Sequence, residues 1–478
     1  YCVILFSILL PALRWISPRT GILECNNGSA SFYEKNFEFC ITDNHISQKK
    51  IYEAPDMYSL VLDNHFLKGL THDGRCILIY VGELKSASLP SSSPFSLRTS
   101  SYLVQDSNSI GKPDWSYFDR IEFQGGVLNN LFSSHYISVD FNSDKFSVPN
   151  DDFTLSGTVE TSYGKIDIDI GWYTTYHSKP QETNFTHNTG FIRCKFAQPI
   201  SVNAAFENIE NFHTLVKFLS YRSNVEFDSI YLQKNYMQDT LDGPVEYSYN
   251  DAQVFIRHDF SPSEKDSLNS ICIDELGNNV FNLLSMIYKD TPSNPLHLLD
   301  FLPTSDEAAK WITGGFIRDV ATFAECEFHQ TTQWRDSKSK KSFDDYARIQ
   351  SLISKFEQTL SQDEFDHGSL PENTRQAIMR NLKKIALPSK NTDFDLYEAY
   401  KHITYNIIPH SQKILTENDI KEFREYRNGK AHGKHVLLNT NIGITSLYLV
   451  ASGYCSILHR AGVDDATLEQ LCNKHFLQ

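Results

Sequence analysis

Apolar and polar side chains alternate through the first half of the chain. From about Thr20 to Phe260 the dominant period is two residues, the spacing that sends successive side chains to opposite faces of a strand. In KIDIDIGWY, Ile166, Ile168, Ile170 and Trp172 fall on one side, and Asp167 and Asp169 on the other. HYISVDF repeats the pattern with Ile137, Val139 and Phe141, and RCILIYV and QVFIRHDF are also strand-like. The Ser/Pro stretch KSASLPSSSPFS at 85–96 is the clearest connector between them. Many short strands at modest spacing predict a sandwich or barrel-like β domain over about residues 20–265. One helix interrupts it: in ENIENFHTLVKFLS, Ile209, Phe212, Val216 and Leu219 recur at three- and four-residue steps. SIYLQK (229–234) then follows as a strand.

The period changes after about residue 265. FNLLSMIY (281–288) closes a predicted helix, and a connector with Pro292, Pro295 and Pro303 fills the rest of 266–304. Beyond it three apolar stripes recur at helical spacing. They are Tyr346–Ile349–Ile353–Phe356–Leu360, then Leu396–Tyr400–Ile403–Ile407 ended by Pro409, then Ile444–Leu447–Ala451–Tyr454–Leu458. Such stripes are core, and they predict an antiparallel helical bundle over 305–478. The fold class expected is α+β multidomain. Residues 1–19 stand apart: YCVILFSILLPALRW is too short to span a membrane, lacks the basic start of a signal peptide, and reads as a truncated start or a buried strand.

Composition narrows the picture. At 478 residues with 40% apolar and 22% charged side chains, two or three packed domains are expected. The net charge of −15 argues against non-specific nucleic-acid binding by the whole molecule. That charge is uneven: residues 1–300 carry 22 Lys and Arg against 36 Asp and Glu, and residues 301–478 carry 22 against 23. The nine cysteines form no CxxC pair, and their scatter reads as reduced thiols in a cytosolic protein with no metal site. Asn27 and Asn184 lie in glycosylation sequons that matter only in a secreted chain. No HExxH, GxSxG, P-loop or GxGxxG occurs, which disfavours those enzyme classes.

One short stretch carries candidate chemistry. EYRNGKAHGKH (425–435) places Arg427, Lys430, His432, Lys434 and His435 together between two predicted helices. Thr416 with Asp419 reads as the cap of the first helix, Gly429 as its end or a kink in it, and Asn439-Thr440 as the approach to the next. RNA supplies its own nucleophile, the 2′-OH. An enzyme then needs a group of near-neutral pKa to move protons and a fixed cation for the charge that builds on phosphorus. His432 and Arg427 suit those roles, with Asn428 bracing the turn or orienting His432, and Lys430, Lys434 and His435 contacting backbone phosphates. A structural reading stays open: Arg427 against a helix C-terminus, Asn428-Gly429 as a left-handed turn, and His432 at the surface. Weaker candidates are His402 and His410, eight apart on or after one helix, and His135 and His177 on predicted strands, with no carboxylate at ligand spacing to those two.

Arg427-Asn428-Gly429-Lys430-Ala431-His432 resembles the R-N-x-x-x-H signature of HEPN ribonucleases, and the chain as a whole resembles their ApeA-like branch. TGIL (20–23), the Gly-centred hairpin LKGLTHDGRCILIYV (67–81) and the helix-then-strand unit FHTLVKFLSYRSNVEFDSIYL (212–232) carry the looser N-terminal part of that likeness. The resemblance spans most of residues 20–475. It implies a cytoplasmic endoribonuclease of antiphage abortive defence, acting on tRNA or similar structured RNA without cofactor or metal. It also implies a homodimer or higher oligomer pairing two motifs across one cleft. The N-terminal domain would sense a phage-derived trigger, and no membrane is involved. Two other classes stay open: a non-catalytic HEPN binding module, and a secreted β-rich recognition protein with a helical stalk.

Overall fold

The structure is a computed structural model that describes residues 19–25, 28–43, 62–63, 66–81, 95–107, 109, 114–132, 138–140, 145–147, 154–179, 182–240, 243–258, 260–263, 270–290, 300–330, 348, 351–355, 358, 377–378, 396–398, 400–401, 415–431, 433 and 437–476. The expectations for residues 1–18, Asn27 and the stripe members Tyr346, Ile349, Phe356, Leu360, Ile403 and Ile407 therefore lie outside the described residues. The chain forms two compact units, one of residues 1–216 and 224–264, the other of residues 217–223 and 265–478. The limits expected for the helical bundle, 305–478, fall inside the second.

The first unit is built on strands β1 (Arg19–Cys25), β2 (Gly28–Lys35), β3 (Glu38–Asp43), β4 (Leu62–Asp63), β5 (Phe66–Thr71), β6 (Cys76–Tyr80), β7 (Phe95–Arg98) and β8 (Ser101–Gln105). It continues with β9 (Phe118–Gln124), β10 (Ser138–Asp140), β11 (Lys145–Ser147), β12 (Thr154–Thr161), β13 (Gly164–Lys179), β14 (Glu182–Ile200), β15 (Ser229–Thr240) and β16 (Gly243–Ile256). Fourteen of them share one sheet in the order β12-β13-β14-β9-β15-β16-β8-β6-β5-β1-β2-β3-β7, with β4 on β5. β12 and β7 end that path without pairing each other, so among the described residues the hydrogen-bond ladder does not close on itself.

The alternation in KIDIDIG works as the pleat requires. Ile166, Ile168 and Ile170 are buried opposite Phe196, Cys194 and Ile192 of β14. On the other face Asp167 and Asp169 accept hydrogen bonds from Thr158 (3.0 Å) and Ser156 (2.6 Å) of β12. Each such buried isoleucine contributes about 1.5–3 kcal/mol. A one-residue slip would exchange the two faces, so the pattern also pins the register. The 67–81 hairpin is present, turning through Gly74 at φ 81°.

Helix α1 (Val202–Ser220) starts where Ser201 Oγ accepts from the Ala204 amide at 3.3 Å. Its predicted stripe is buried, and within the first unit Phe206 stacks on Phe66 while Phe212 meets Phe123. The division between units cuts α1 after Val216. Its last turn belongs to the second unit, where Tyr221 ends it at φ 51°. A left-handed backbone is costly for a bulky residue. The Tyr221 ring is held in an aromatic cluster with Phe301, Tyr454 and Phe476, which offsets that cost. Phe218 stacks on Tyr454 at 4.3 Å, and its carbonyl accepts the Tyr454 hydroxyl proton at 2.9 Å.

The second unit is helical: α2 (Ile273–Leu276), α3 (Asn279–Tyr288), α4 (Gly314–Gln330), α5 (Glu417–Ala431), α6 (Thr440–Arg460) and α7 (Asp465–His475), with further helical residues at 351–355 and 396–398. α6 is long and apolar enough to cross a membrane, yet 78% of that stretch is buried inside the protein, so it is a core helix. Its expected stripe needs correcting. Ala451, Tyr454 and Leu458 are buried, whereas Ile444 is only half-buried and Leu447 is 40% exposed. Thr445, Ser446 and Ser452 are buried instead, because each hydroxyl donates to a carbonyl one turn back and needs no other partner. Gly453 lets α4 approach α6: a Cβ there would lie 2.3 Å from the Phe323 ring.

The reading of all nine cysteines as scattered reduced thiols is also corrected. The tight turn through Gly462 (φ 90°) folds α7 back on α6, and Cys455 meets Cys472, 17 residues on, in a disulfide.

Glu275 ties α2 to α7. Burial raises its carboxyl pKa, but hydrogen bonds from His475, Lys474 and the Cys272 amide outweigh that and hold it at about 2, below the ordinary 4.5. A depressed carboxyl stabilises the fold above its ordinary pKa, and that contribution disappears as pH falls toward the folded value. Thermal unfolding should therefore show the native protein losing about 1–2 kcal/mol more than Glu275→Gln between about pH 5 and pH 2, a figure reduced for partial solvation. Parallel pH profiles for the two proteins would refute this assignment.

Candidate functional site

α5 carries the first part of the motif on its last turn. The helix opens with a reciprocal cap, in which the Thr416 amide donates to Asp419 Oδ2 (2.8 Å) and the Asp419 amide to Thr416 Oγ1 (3.2 Å). Ile420, Phe423 and Tyr426 fill its buried face. Of the end or kink suggested at Gly429, the end does not occur there: the helix runs on to Ala431. Gly429 is buried, where a residue without a side chain suits the packing. The turn comes at Gly433, at φ 71°, whose amide donates to the Lys430 carbonyl at 3.1 Å.

Arg427 projects from this last turn with about a quarter of its side chain exposed. Its guanidinium sits 3.6 Å from Glu325 Oε2 on α4 and donates to Asn428 Oδ1 at 3.1 Å. Arg424, one turn earlier and almost wholly buried, lies 3.3 Å from Glu325 Oε1. One carboxylate thus holds two guanidinium groups. Asn428 and Lys430 are exposed, and the Lys430 ammonium stands 5.7 Å from the centre of the Tyr426 ring. Arg427, Asn428 and Lys430 are therefore brought together at the end of α5. His432, Lys434 and His435 lie outside the described residues, as do His135, His402 and His410; His177 is on β13.

The second helix of the site is fixed to the first. Asn439 caps α6 by accepting from the Ile442 amide at 2.8 Å. Asn441 then donates to Asp419 (2.9 Å) and Glu422 (3.1 Å) on α5. Leu437 and Leu438, just ahead of α6, and Leu447 on it are exposed apolar side chains.

Sequence reading missed the acidic side of the site. α4 presents Glu325 to the two arginines of α5, and two residues on it presents Glu327 to Arg460 of α6. A signal was there for Glu327. It falls four residues after Phe323 and three after Ala324, on the apolar face of α4, where an acid needs a cation. No protein-family model matches the chain, and neither does any curated protein or solved structure.

Proposed function

We propose that the helical unit is a metal-independent endoribonuclease of the HEPN type. The observation that carries this is Arg427, fixed by Glu325 at the exposed end of α5, five residues ahead of His432. A guanidinium there offers a planar fork to a phosphate, and its position is set before substrate arrives. The RNA 2′-oxygen loses its proton to a base and attacks the adjacent phosphorus. The bond from phosphorus to the 5′-oxygen breaks, and that oxygen takes a proton from an acid. The products are a 2′,3′-cyclic phosphate and a 5′-OH. His432 serves as base or acid, Arg427 stabilises the charge on the phosphorane, Asn428 braces the pair, and Lys430, Lys434 and His435 hold neighbouring phosphates.

Two such motifs across a dimer cleft supply both proton-transfer roles, and the exposed leucines 437, 438 and 447 offer apolar surface for that pairing. In this reading the protein works in the cytoplasm, without cofactor. It acts on tRNA or similar structured RNA in antiphage defence, and the β-rich unit senses the trigger. The deciding experiment is cleavage of total cellular RNA by the full chain in EDTA, beside His432→Ala, with product ends typed. Cutting that persists in EDTA, leaves cyclic phosphate and is lost in the variant supports the reading. Cutting that stops with EDTA, or survives the variant, refutes it.

The Cys455–Cys472 disulfide favours a second reading, a secreted β-rich recognition protein, because such bonds persist in oxidising compartments. That reading expects both cysteines, which are buried, to resist alkylation in the unfolded protein until a reductant is added. Alkylation of both in denaturant without reductant removes it.

A further inference from the structure

The strand path of the large sheet ends on β7 at one side and β12 at the other, and the two edges are built differently. β7 is four residues long and finishes on Arg98, a short charged edge of the kind that blocks further pairing. β12 is eight residues long, TLSGTVET, and all of it is in unbroken register with β13. It contains no proline, no lysine and no bulge, and Glu160 is its one charge. Every second residue of an antiparallel strand turns its N–H and C=O away from its neighbour. Half of the main-chain groups of β12 thus face a side on which no strand pairs among the described residues. The hydroxyls of Ser156 and Thr158 do not screen that side, because they donate inward to Asp169 and Asp167 of β13.

A second extended backbone is what satisfies such a row along its whole length. The side chains of β12 fit a second copy of β12 itself. An antiparallel pair about a twofold axis at Gly157 sets Leu155 opposite Val159 of the second copy, Ser156 opposite Thr158 and Thr154 opposite Glu160. Apolar then meets apolar on the face that continues from Ile166, Ile168 and Ile170 of β13. Hydroxyl meets hydroxyl on the other face, and no like charges oppose each other. Leu155 is partly exposed in the single chain, so the pairing covers apolar surface left open at the end of the core. Gly157 at the axis has no side chain to crowd its twin. A foreign strand would have to reproduce this alternation, which the second copy carries by construction.

We propose that the β12 edge is an interaction surface for a second copy of this chain, joining two β-rich units through one continuous antiparallel sheet. The proposal stands apart from the nuclease reading and its leucine surface, since it concerns the other unit and is read without RNA.

The test is sedimentation of the full chain over about 1 to 100 µM, beside variants at exposed positions of β12. Thr154→Glu sets like charges opposite each other twice across the axis and should weaken association by about tenfold. Adding Glu160→Gln removes that repulsion and should restore it. A chain carrying both Ser156→Cys and Thr158→Cys should form interchain disulfides under copper phenanthroline. Thr154→Cys alone, whose twin lies at the far end of the pair, should stay at the background of the native chain. Pairing through the helical unit does not produce this pattern, so the two readings fail separately. A chain that stays monomeric leaves the edge to a strand of another protein and overturns the proposal. Association indifferent to Thr154→Glu, or equal crosslinking of the two cysteine variants, also overturns it. Should the double-cysteine variant fail to unfold cooperatively, the reversal of Thr154→Glu by Glu160→Gln decides alone.

Discussion

Arg427→Ala is expected to lower the rate of RNA cleavage by about 10²–10³-fold, the usual cost of removing one fixed donor to a developing anion. The fold should tolerate the change. Glu325 keeps Arg424 at 3.3 Å when Arg427 is removed, and a partly exposed ion pair at 3.6 Å is worth little, so unfolding should move by less than about 1 kcal/mol. Arg427→Lys should not restore the rate, because an ammonium cannot present two parallel N–H groups to a phosphate. The measurement is a single-turnover cleavage rate beside a thermal melt. A variant that cuts at the native rate would place the transition-state cation elsewhere and refute the role assigned to Arg427.

The other large effect is structural. Glu327 is fully buried on α4, accepting from Ser456 (2.7 Å) and Arg460 Nε (3.0 Å) on α6. Burial pushes its carboxyl above the ordinary range, and Arg460 and Ser456 pull it only part of the way back. Its charged form is therefore costly, yet it is what satisfies Arg460. Glu327→Ala leaves that guanidinium without its carboxylate and opens a void beside Ser456. The expected loss is about 3 kcal/mol, toward the lower end for a broken buried pair because Arg460 keeps some exposure. Glu327→Gln retains an acceptor and removes the costly charge, so it should lose much less. Urea denaturation checks both, and similar midpoints for Glu327→Ala and the native protein would contradict the assignment.

The elements were legible wherever one periodicity ran unbroken. KIDIDIG announces β13 because each buried isoleucine alternates with an aspartate that must face water, and 209–219 announces α1 by its stripe. The order of the strands was not legible. β9 pairs with both β14 and β15, a choice made by side chains far apart in sequence that no local pattern records. Gly429 was only partly legible for a related reason: glycine's low helix propensity suggests an end or a kink, but the helix continues through this buried position, and Gly433 supplies the left-handed residue. For the site, a motif of residue types could be read directly. The carboxylate that holds Arg427 could not, since Glu325 sits on another helix about a hundred residues earlier in the chain.

The aromatic cluster around Tyr454 has a consequence for biosynthesis. Phe218 and Tyr221 leave the ribosome long before their partners Tyr454 and Phe476 exist. At on the order of 10 residues per second, the wait is tens of seconds. The core of the helical unit cannot close in that interval, and α5 gains its neighbours on α6 only once those later residues are made. On the proposed nuclease reading, the order in which its pieces are made keeps the chain incompetent beside the ribosome translating it.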